Sequence, residues 1–520
     1  MSQQPTFTLP DPTYDTHTWI LQDEHNPAAH PPLIASASPT RQSNNDQQDG
    51  LPTTININGF NYQREVPNHN QGGNASPFGQ TTQPNTVDDL RLWRSEWLPQ
   101  VDKLKFMLEE FDPITVAPGD WTATLQKHDE EYRRVFAGVH RNAVGPSRLA
   151  TSNFLDAYVE LFGEQNRHQG MALLQGFPNR SLDRACALWD LSRIMRNNDS
   201  IRNLTNVKDL EPTTPEEHDF LNKFDEMLNF FGSTTNNGLQ DLPNWREGSQ
   251  IPLSIIRSYA AQDDSKSPRQ ASMKQRETRL SLEEAVRSPE NQTSTSQDLV
   301  KLMEMAQELM PNLEDHNLLC DQQCVSSSRK RWLNIGAFMV SKHMLDNEVE
   351  VFFYTREELI NALENTSLIP QEELSIRQNM LKAYRSMPPP LYLGEPPKNF
   401  QEITDIPSEG HSQSILKGIP ASPGTHRGVA RVFQSIDEAG SLQQGEILVV
   451  RALTPPWTPY VSVAGAIVTN SGGALSHGAV VAREFGIPAI VGTTNGTALI
   501  PDKSVISIDG NSGIIVIERS

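Results

Sequence analysis

Cysteine is nearly absent from this chain: three residues in 520. That excludes a disulfide framework. Positive charge is also short, with 44 Lys and Arg against 64 Asp and Glu and a net charge of −20. Such a balance argues against nucleic acid or an anionic membrane as the main partner. No apolar run approaches the ~20 residues that a membrane-spanning helix needs. The start, Met1-Ser-Gln-Gln-Pro5, has neither the basic residues nor the apolar stretch of a signal peptide. Hydrophobic residues are only 36% while Pro numbers 37, so part of the chain is expected to lie outside packed cores. A cytoplasmic protein of two or three domains is the expectation.

Texture changes along the chain. Residues 1–87 are rich in Pro, Asn, Gln, Ser and Thr and are predicted to be largely disordered. One apolar island, within 18–33 and opening Thr18-Trp-Ile-Leu21, reads as a docking segment. From 88 to 387 apolar residues recur at three- and four-residue spacings, as in Leu90, Trp93, Trp97, Val101 and Leu104, which predicts a helical central domain. Pro252 to Pro268 reads as a loop and Val349–Tyr354 as a short strand. A Pro-rich linker follows at 388–413, then an α/β domain at 414–520. The fold class is therefore multidomain: a disordered N-terminal region, a mainly α-helical central domain and a C-terminal α/β domain.

The most informative stretch lies in that last domain, from Thr469 to Gly492. Ala464–Val468 is strand-like, and Gly472-Gly473 permits a sharp turn. Ser476 is a preferred N-cap, Gly478–Phe485 can form two helical turns, and Gly486 with Pro488 stops them. His477 then sits at a helix mouth, where unpaired N–H groups and a partial positive charge favour a phosphate. A neutral imidazole is nucleophilic at cellular pH, and its phosphoramidate can pass the group on. The residues expected to support the phosphate are Ser476, Gly472, Gly473, Gly478 and Arg483.

Residues 415–518 resemble the mobile phosphohistidine domain of the phosphoenolpyruvate-utilising enzymes. The resemblance runs through Lys417-Gly-Ile-Pro-Ala-Ser-Pro-Gly424, Gly445-Glu-Ile-Leu-Val449, Leu453-Thr-Pro-Pro-Trp-Thr-Pro459, the Ser476-His-Gly478 run and Ile508-Asp-Gly-Asn-Ser-Gly513. It implies a swivelling domain in which His477 is the phosphorylated catalytic residue. Segments such as Leu174-Gln-Gly-Phe-Pro178 and Glu314-Asp-His-Asn317 resemble more diffusely the central region of rifampicin phosphotransferase and of the phosphohistidine subunit of phenylphosphate synthase.

Nothing before residue 400 looks like an ATP-grasp module or a P-loop. The expectation is a phosphotransferase subunit moving a phosphoryl group through His477 to a small organic acceptor, a hydroxyl compound. ATP and Mg would be handled by a separate ATP-grasp partner, with no cofactor held by this chain. Two rivals stand beside it: a non-catalytic scaffold, and a phosphocarrier charged from phosphoenolpyruvate. On the acceptor side, Asp315, His316 and Asp321 are the candidates for acid–base work, because a His between carboxylates is tuned towards neutral pH. His316, Cys320 and Cys324 would share a helix face at i, i+4, i+8, but no fourth ligand is near, so no metal is expected.

Overall fold

The computed structural model of the chain describes residues 6–22, 28–37, 52–64, 75–76, 79–80, 86–235, 238–288, 294–387, 389–395, 404–408 and 411–518. Its described residues form an N-terminal sheet, a helical body and a C-terminal α/β domain.

Within the N-terminal region, the described residues around the docking segment form a small sheet. Thr18–Leu21 lies inside a four-stranded antiparallel sheet, between Phe60–Arg64 and Tyr392–Gly394, with Thr54–Ile57 at the far edge. Alternation drives it: Ile55, Ile57, Phe60 and Tyr62 turn inward, and Trp19 is fully buried between them. Asn58 and Gly59, at φ 55 and 85, make the two-residue turn, the pairing that matches right-handed strand twist. Arg385 ties this layer to the helices, donating to Ala29 O and to both oxygens of Asp241. The Asp23–Pro27 part of the docking island lies outside the described residues.

The helical body departs from expectation in three places. Gln250–Ala260 is a helix rather than a loop, because Pro252 falls in the first turn, where no intrahelical N–H is needed. Glu348–Phe353 is a buried 3₁₀ segment rather than a strand, opened by an Asn347/Glu350 capping box. The third departure is a set of π turns inside long helices, at Trp93–Trp97, His140–Val144 and Asn317–Gln322.

The C-terminal domain is a nine-stranded sheet. Its centre is four parallel strands, Thr425–Val432, Ile447–Val450, Ala466–Thr469 and Ala489–Val491. Three of these are buried along their whole length, as parallel strands covered on both faces must be. On one face Ile447, Val449, Ala466, Val468 and Ile490 close a core with Ile506, Ile508 and Ile515. On the other, Leu448, Val450, Ile467 and Val491 join a core that continues through Trp457 and Tyr460 into Trp189 and Tyr259 of the helical body. The domain is thus docked on the helices through apolar surface.

The expected linker at 388–413 is shorter than its composition suggests. Tyr392–Gly394 belongs to the N-terminal sheet, and Thr404–Ser408 pairs with His411–Lys417 as the edge of the C-terminal sheet. Residues 396–403 connect them and lie outside the described residues.

Candidate active site

The site grows from the strand–turn–helix expected around His477. Ala466–Thr469 ends, the chain turns at Gly472, and helix His477–Phe485 begins with Ser476 as N-cap. Gly472 has φ 113, and a Cβ there would meet Ser476 Oγ at 2.9 Å, so this position takes glycine. The cap Oγ accepts from Ala479 N at 3.4 Å, and Gly486 closes the helix in the left-handed region. A Cβ on Gly478 would stand 2.9 Å from Leu453 Cβ, which packs the helix start against the 453–459 segment.

His477 occupies the first helical position with its side chain 11% exposed. Its Nε2 is 3.0 Å from Thr458 Oγ1. Its Nδ1 lies 2.9 Å from Glu314 Oε2, a carboxylate on the helical body that is 3% exposed. Ser181 Oγ donates to that same Glu314 oxygen at 3.2 Å. The imidazole is therefore gripped from two domains, a hydroxyl at one nitrogen and a carboxylate at the other.

Next to it is a cavity of about 290 Å³. The C-terminal domain lines it with Leu453–Pro456, Ser471, Gly472 and Leu475–Gly478, and the helical body with Phe136, His140, Arg148, His316, Asp321 and Val325. In the body, three ligand-competent groups converge. His140 Nε2 is 3.5 Å and His316 Nε2 3.9 Å from the two oxygens of Asp321. Each His has Nδ1 within hydrogen-bond distance of the carbonyl four residues back, Phe136 at 2.8 Å and Asn312 at 2.9 Å. Burial pushes the His316 ring down to about 4. Burial also pulls on His140, but the Asp321 carboxylate beside it outweighs this and raises it.

The π turn explains the grouping. In a π turn residue i+5 stacks over residue i, so Asn317–Gln322 returns Asp321 to the face of His316. The same turn removes the i, i+4, i+8 face once read for His316, Cys320 and Cys324. The two thiols are buried, 4.0 Å apart, in the apolar core of the helical body.

Two other candidate roles change. Asp315 does not line the cavity; its Oδ1 accepts from Arg180 N at the start of helix Arg180–Arg196, and burial lifts its carboxyl to about 6. Glu314, one residue earlier, reaches His477 instead. Arg483 is buried, and its guanidinium donates to Ala421 O and Ala474 O at 2.8 Å. It braces the loop that precedes His477 and does not face the cavity. Gly473 has open space around its would-be Cβ, so packing does not force glycine there. Thr458 and His140 were not singled out from sequence; Thr458 lay inside a quoted motif, and His140 is far from its partners in the chain.

Comparison with known proteins agrees with this geometry. Residues 442–513 match the mobile domain of phosphoenolpyruvate-utilising enzymes. That stretch of the C-terminal domain is thus similar to the mobile domain. Residues 140–313, within the helical body, match the fourth domain of rifampicin phosphotransferase. Chondramide synthase of Chondromyces crocatus is 27% identical over 90% of this chain and 13% of that protein. An uncharacterised phosphotransferase of Bacillus subtilis is 28% identical over 73% of this chain and 47% of its own length. Rifampicin phosphotransferase of Bacillus cereus is 35% identical over 32% of this chain and 19% of that protein. The chain therefore spans less than half the length of each of these relatives. Among the described residues, no helix is long and apolar enough to cross a membrane.

Proposed function

We propose that this chain is a phosphotransferase component that carries a phosphoryl group on His477 and delivers it to a small hydroxyl compound in the interdomain cavity. One observation carries the reading: His477 opens a helix beside a cavity whose far wall belongs to the helical body. That is the docked geometry a relay needs at its delivery end. The names of rifampicin phosphotransferase and chondramide synthase among the relatives favour an elaborate organic acceptor over a simple metabolite.

The two nitrogens of His477 take different tasks. A carboxylate 2.9 Å from Nδ1 favours a proton there. Nε2 is left with the lone pair and is the atom that bears the phosphoryl group. In delivery the P–N bond breaks as the acceptor's oxygen bonds to phosphorus, and the electron pair returns to Nε2. Glu314 eases this departure by stabilising the protonated ring. The acceptor's proton passes to the His140–His316–Asp321 cluster across the cavity. Arg148, an exposed cation on the cavity wall, faces the phosphoryl charge.

Charging at Nε2 needs the ring released from Thr458 and Glu314, so the C-terminal domain must leave this position to meet its donor. The donor is ATP with Mg, bound by a separate ATP-grasp protein. Incubating the full chain with radiolabelled ATP, with and without a candidate ATP-grasp protein, tests this. Acid-labile, base-stable label on His477 that requires the partner is the expected result. Label formed without any partner would place nucleotide chemistry in this chain and refute the split.

A further inference from the structure

We propose that His140, His316 and Asp321 form a binding site for a divalent transition-metal ion, in the wall of the cavity that His477 faces. The role given to the ion below rests on the phosphoryl-transfer reading; the site itself does not.

Three independent features point to a cation. The first is the donor set. The ligand atoms of the three residues all lie within 4.8 Å of one another, and the group is buried or half-buried. Two imidazoles and one carboxylate, with further positions open, form the pattern of catalytic zinc and of non-haem iron sites. Tetrahedral ligands at about 2.0–2.1 Å from zinc stand about 3.4 Å apart. The separation of 3.5 Å between His140 Nε2 and Asp321 Oδ1 already fits, and His316 Nε2, 3.9 Å from the other oxygen, closes on the same point by a small movement.

The second is how the rings are held. Each Nδ1 sits against a backbone carbonyl, which fixes the tautomer with the proton on Nδ1 and turns Nε2 to the common centre. Metal-bound imidazoles are oriented by such carbonyl contacts. The two rings meet edge to face with centroids 5.4 Å apart, so their Nε2 atoms approach one point from different directions.

The third is the backbone. His140 opens one π turn, and His316 immediately precedes another. Such turns occur frequently at functional sites. In an uninterrupted α-helix Asp321 would be rotated off the His316 face; the inserted turn brings it back. Structure at this point has been bent to gather these side chains.

Bound through one oxygen, Asp321 keeps the second for a proton. A cation bound here has open positions towards the cavity. It would take the acceptor's hydroxyl, lower its pKa and aim its oxygen at the phosphorus on His477, with the proton leaving to that second oxygen of Asp321. The substrate class this implies is an alcohol with a second donor atom able to chelate, such as a hydroxy acid or hydroxy ketone.

The test uses the full chain stripped with a chelator, titrated with Zn²⁺ alone by calorimetry and with Co²⁺ alone by visible absorption. One saturable site with tetrahedral cobalt bands is expected. Asp321→Asn keeps the shape of the side chain and should weaken binding about 10–100-fold, the range typical of a damaged metal site. His140→Ala should do the same, with circular dichroism confirming the helices. The Cys320→Ser, Cys324→Ser double variant should bind as the parent does. Absence of a saturable site, or affinity unchanged in Asp321→Asn, overturns the proposal. Loss confined to the cysteine variant does so too, since it would move the ion to the thiols.

Discussion

Glu314 of the helical body and His477 of the C-terminal domain meet across the domain boundary, Oε2 to Nδ1, at 2.9 Å. Both side chains are shielded from water, so positive charge that develops on the ring during delivery meets the carboxylate with little screening. Glu314 is the residue through which the helical body acts on the phosphoryl carrier. Replacing it by Gln preserves the shape and removes the charge. Delivery from phosphorylated His477, followed in a single turnover, should slow about 10–100-fold, with folding unchanged. The pH dependence of that step should alter as well, which a merely structural role would not cause. An unchanged single-turnover rate would remove Glu314 from the mechanism.

Movement of the domain can be tested by holding it still. A Cβ on Gly440 would lie 3.8 Å from Ser254 Cβ, across the same boundary. That is the mean separation in a disulfide. The three native cysteines are buried and unpaired with one another as disulfides, so a new S254C/G440C bridge has little competition. When oxidised, a previously phosphorylated protein should deliver its group once and then stop. Reduction should restore repeated turnover. Equal multiple-turnover rates in the oxidised and reduced forms would rule out the moving domain.

Docking should weaken as pH rises. Glu484 is buried at the boundary, where Gly176 N donates to its carboxylate oxygens at 3.0 and 3.1 Å. Burial lifts its pKa to about 8, reinforced by Glu314 and opposed by the Gly176 hydrogen bond, Arg483 and Arg279. Released to solvent, a Glu titrates near 4.3. The docked state thus holds a proton that the open state loses, and docking is strongest below about 4.3 and declines until pH passes about 8. Hydrogen exchange at Gly176 and Ala482–Glu484 should accelerate between about pH 5 and about pH 8 beyond the intrinsic base-catalysed rise. Glu484→Gln should abolish the excess; an excess that persists in this variant would assign the effect elsewhere.

The turn before the helix is a further point of leverage. Gly472→Ala places a Cβ at φ 113 and against Ser476 Oγ. It should destabilise the C-terminal domain by about 1–3 kcal/mol and displace the N-cap. Gly473→Ala, with open space around it, should do much less. Thermal melts of the two variants would check the order, and equal losses would contradict it.

His477 was legible because its strand, turn, cap, helix and stop follow one another within Thr469–Gly492, so local rules suffice. Glu314 was harder. Adjacent residues on a helix point about 100° apart, and sequence alone did not say whether Glu314 or Asp315 faced the histidine. His140 was out of reach, since only the tertiary fold brings helix Trp121–Val139 and its π turn beside His316. An inserted π residue leaves little trace in composition, which is why regular helix spacing puts His316 on the face of Cys320 and Cys324 and the structure does not. In the fold, Asn58-Gly59 between alternating Ile and aromatic residues was a usable hairpin signal. It was outweighed by the polar composition around it. The effect of Pro252 depends on its position relative to the helix start, and at that start Ser249 makes no side-chain cap bond, its Oγ donating to Asn206 Oδ1 instead.

The central claim is that His477 carries the phosphoryl group, and direct charging tests it without any partner. The full chain treated with phosphoramidate, a small chemical donor of phosphoryl groups to imidazole, can be digested at alkaline pH and mapped by mass spectrometry. The account predicts phosphate on the peptide containing His477, stable to base and lost in acid. It also predicts discharge on adding a competent acceptor, and none of either in His477→Ala. Phosphate confined to other histidines, or a His477→Ala variant that keeps more than about a hundredth of the transfer rate, would contradict it.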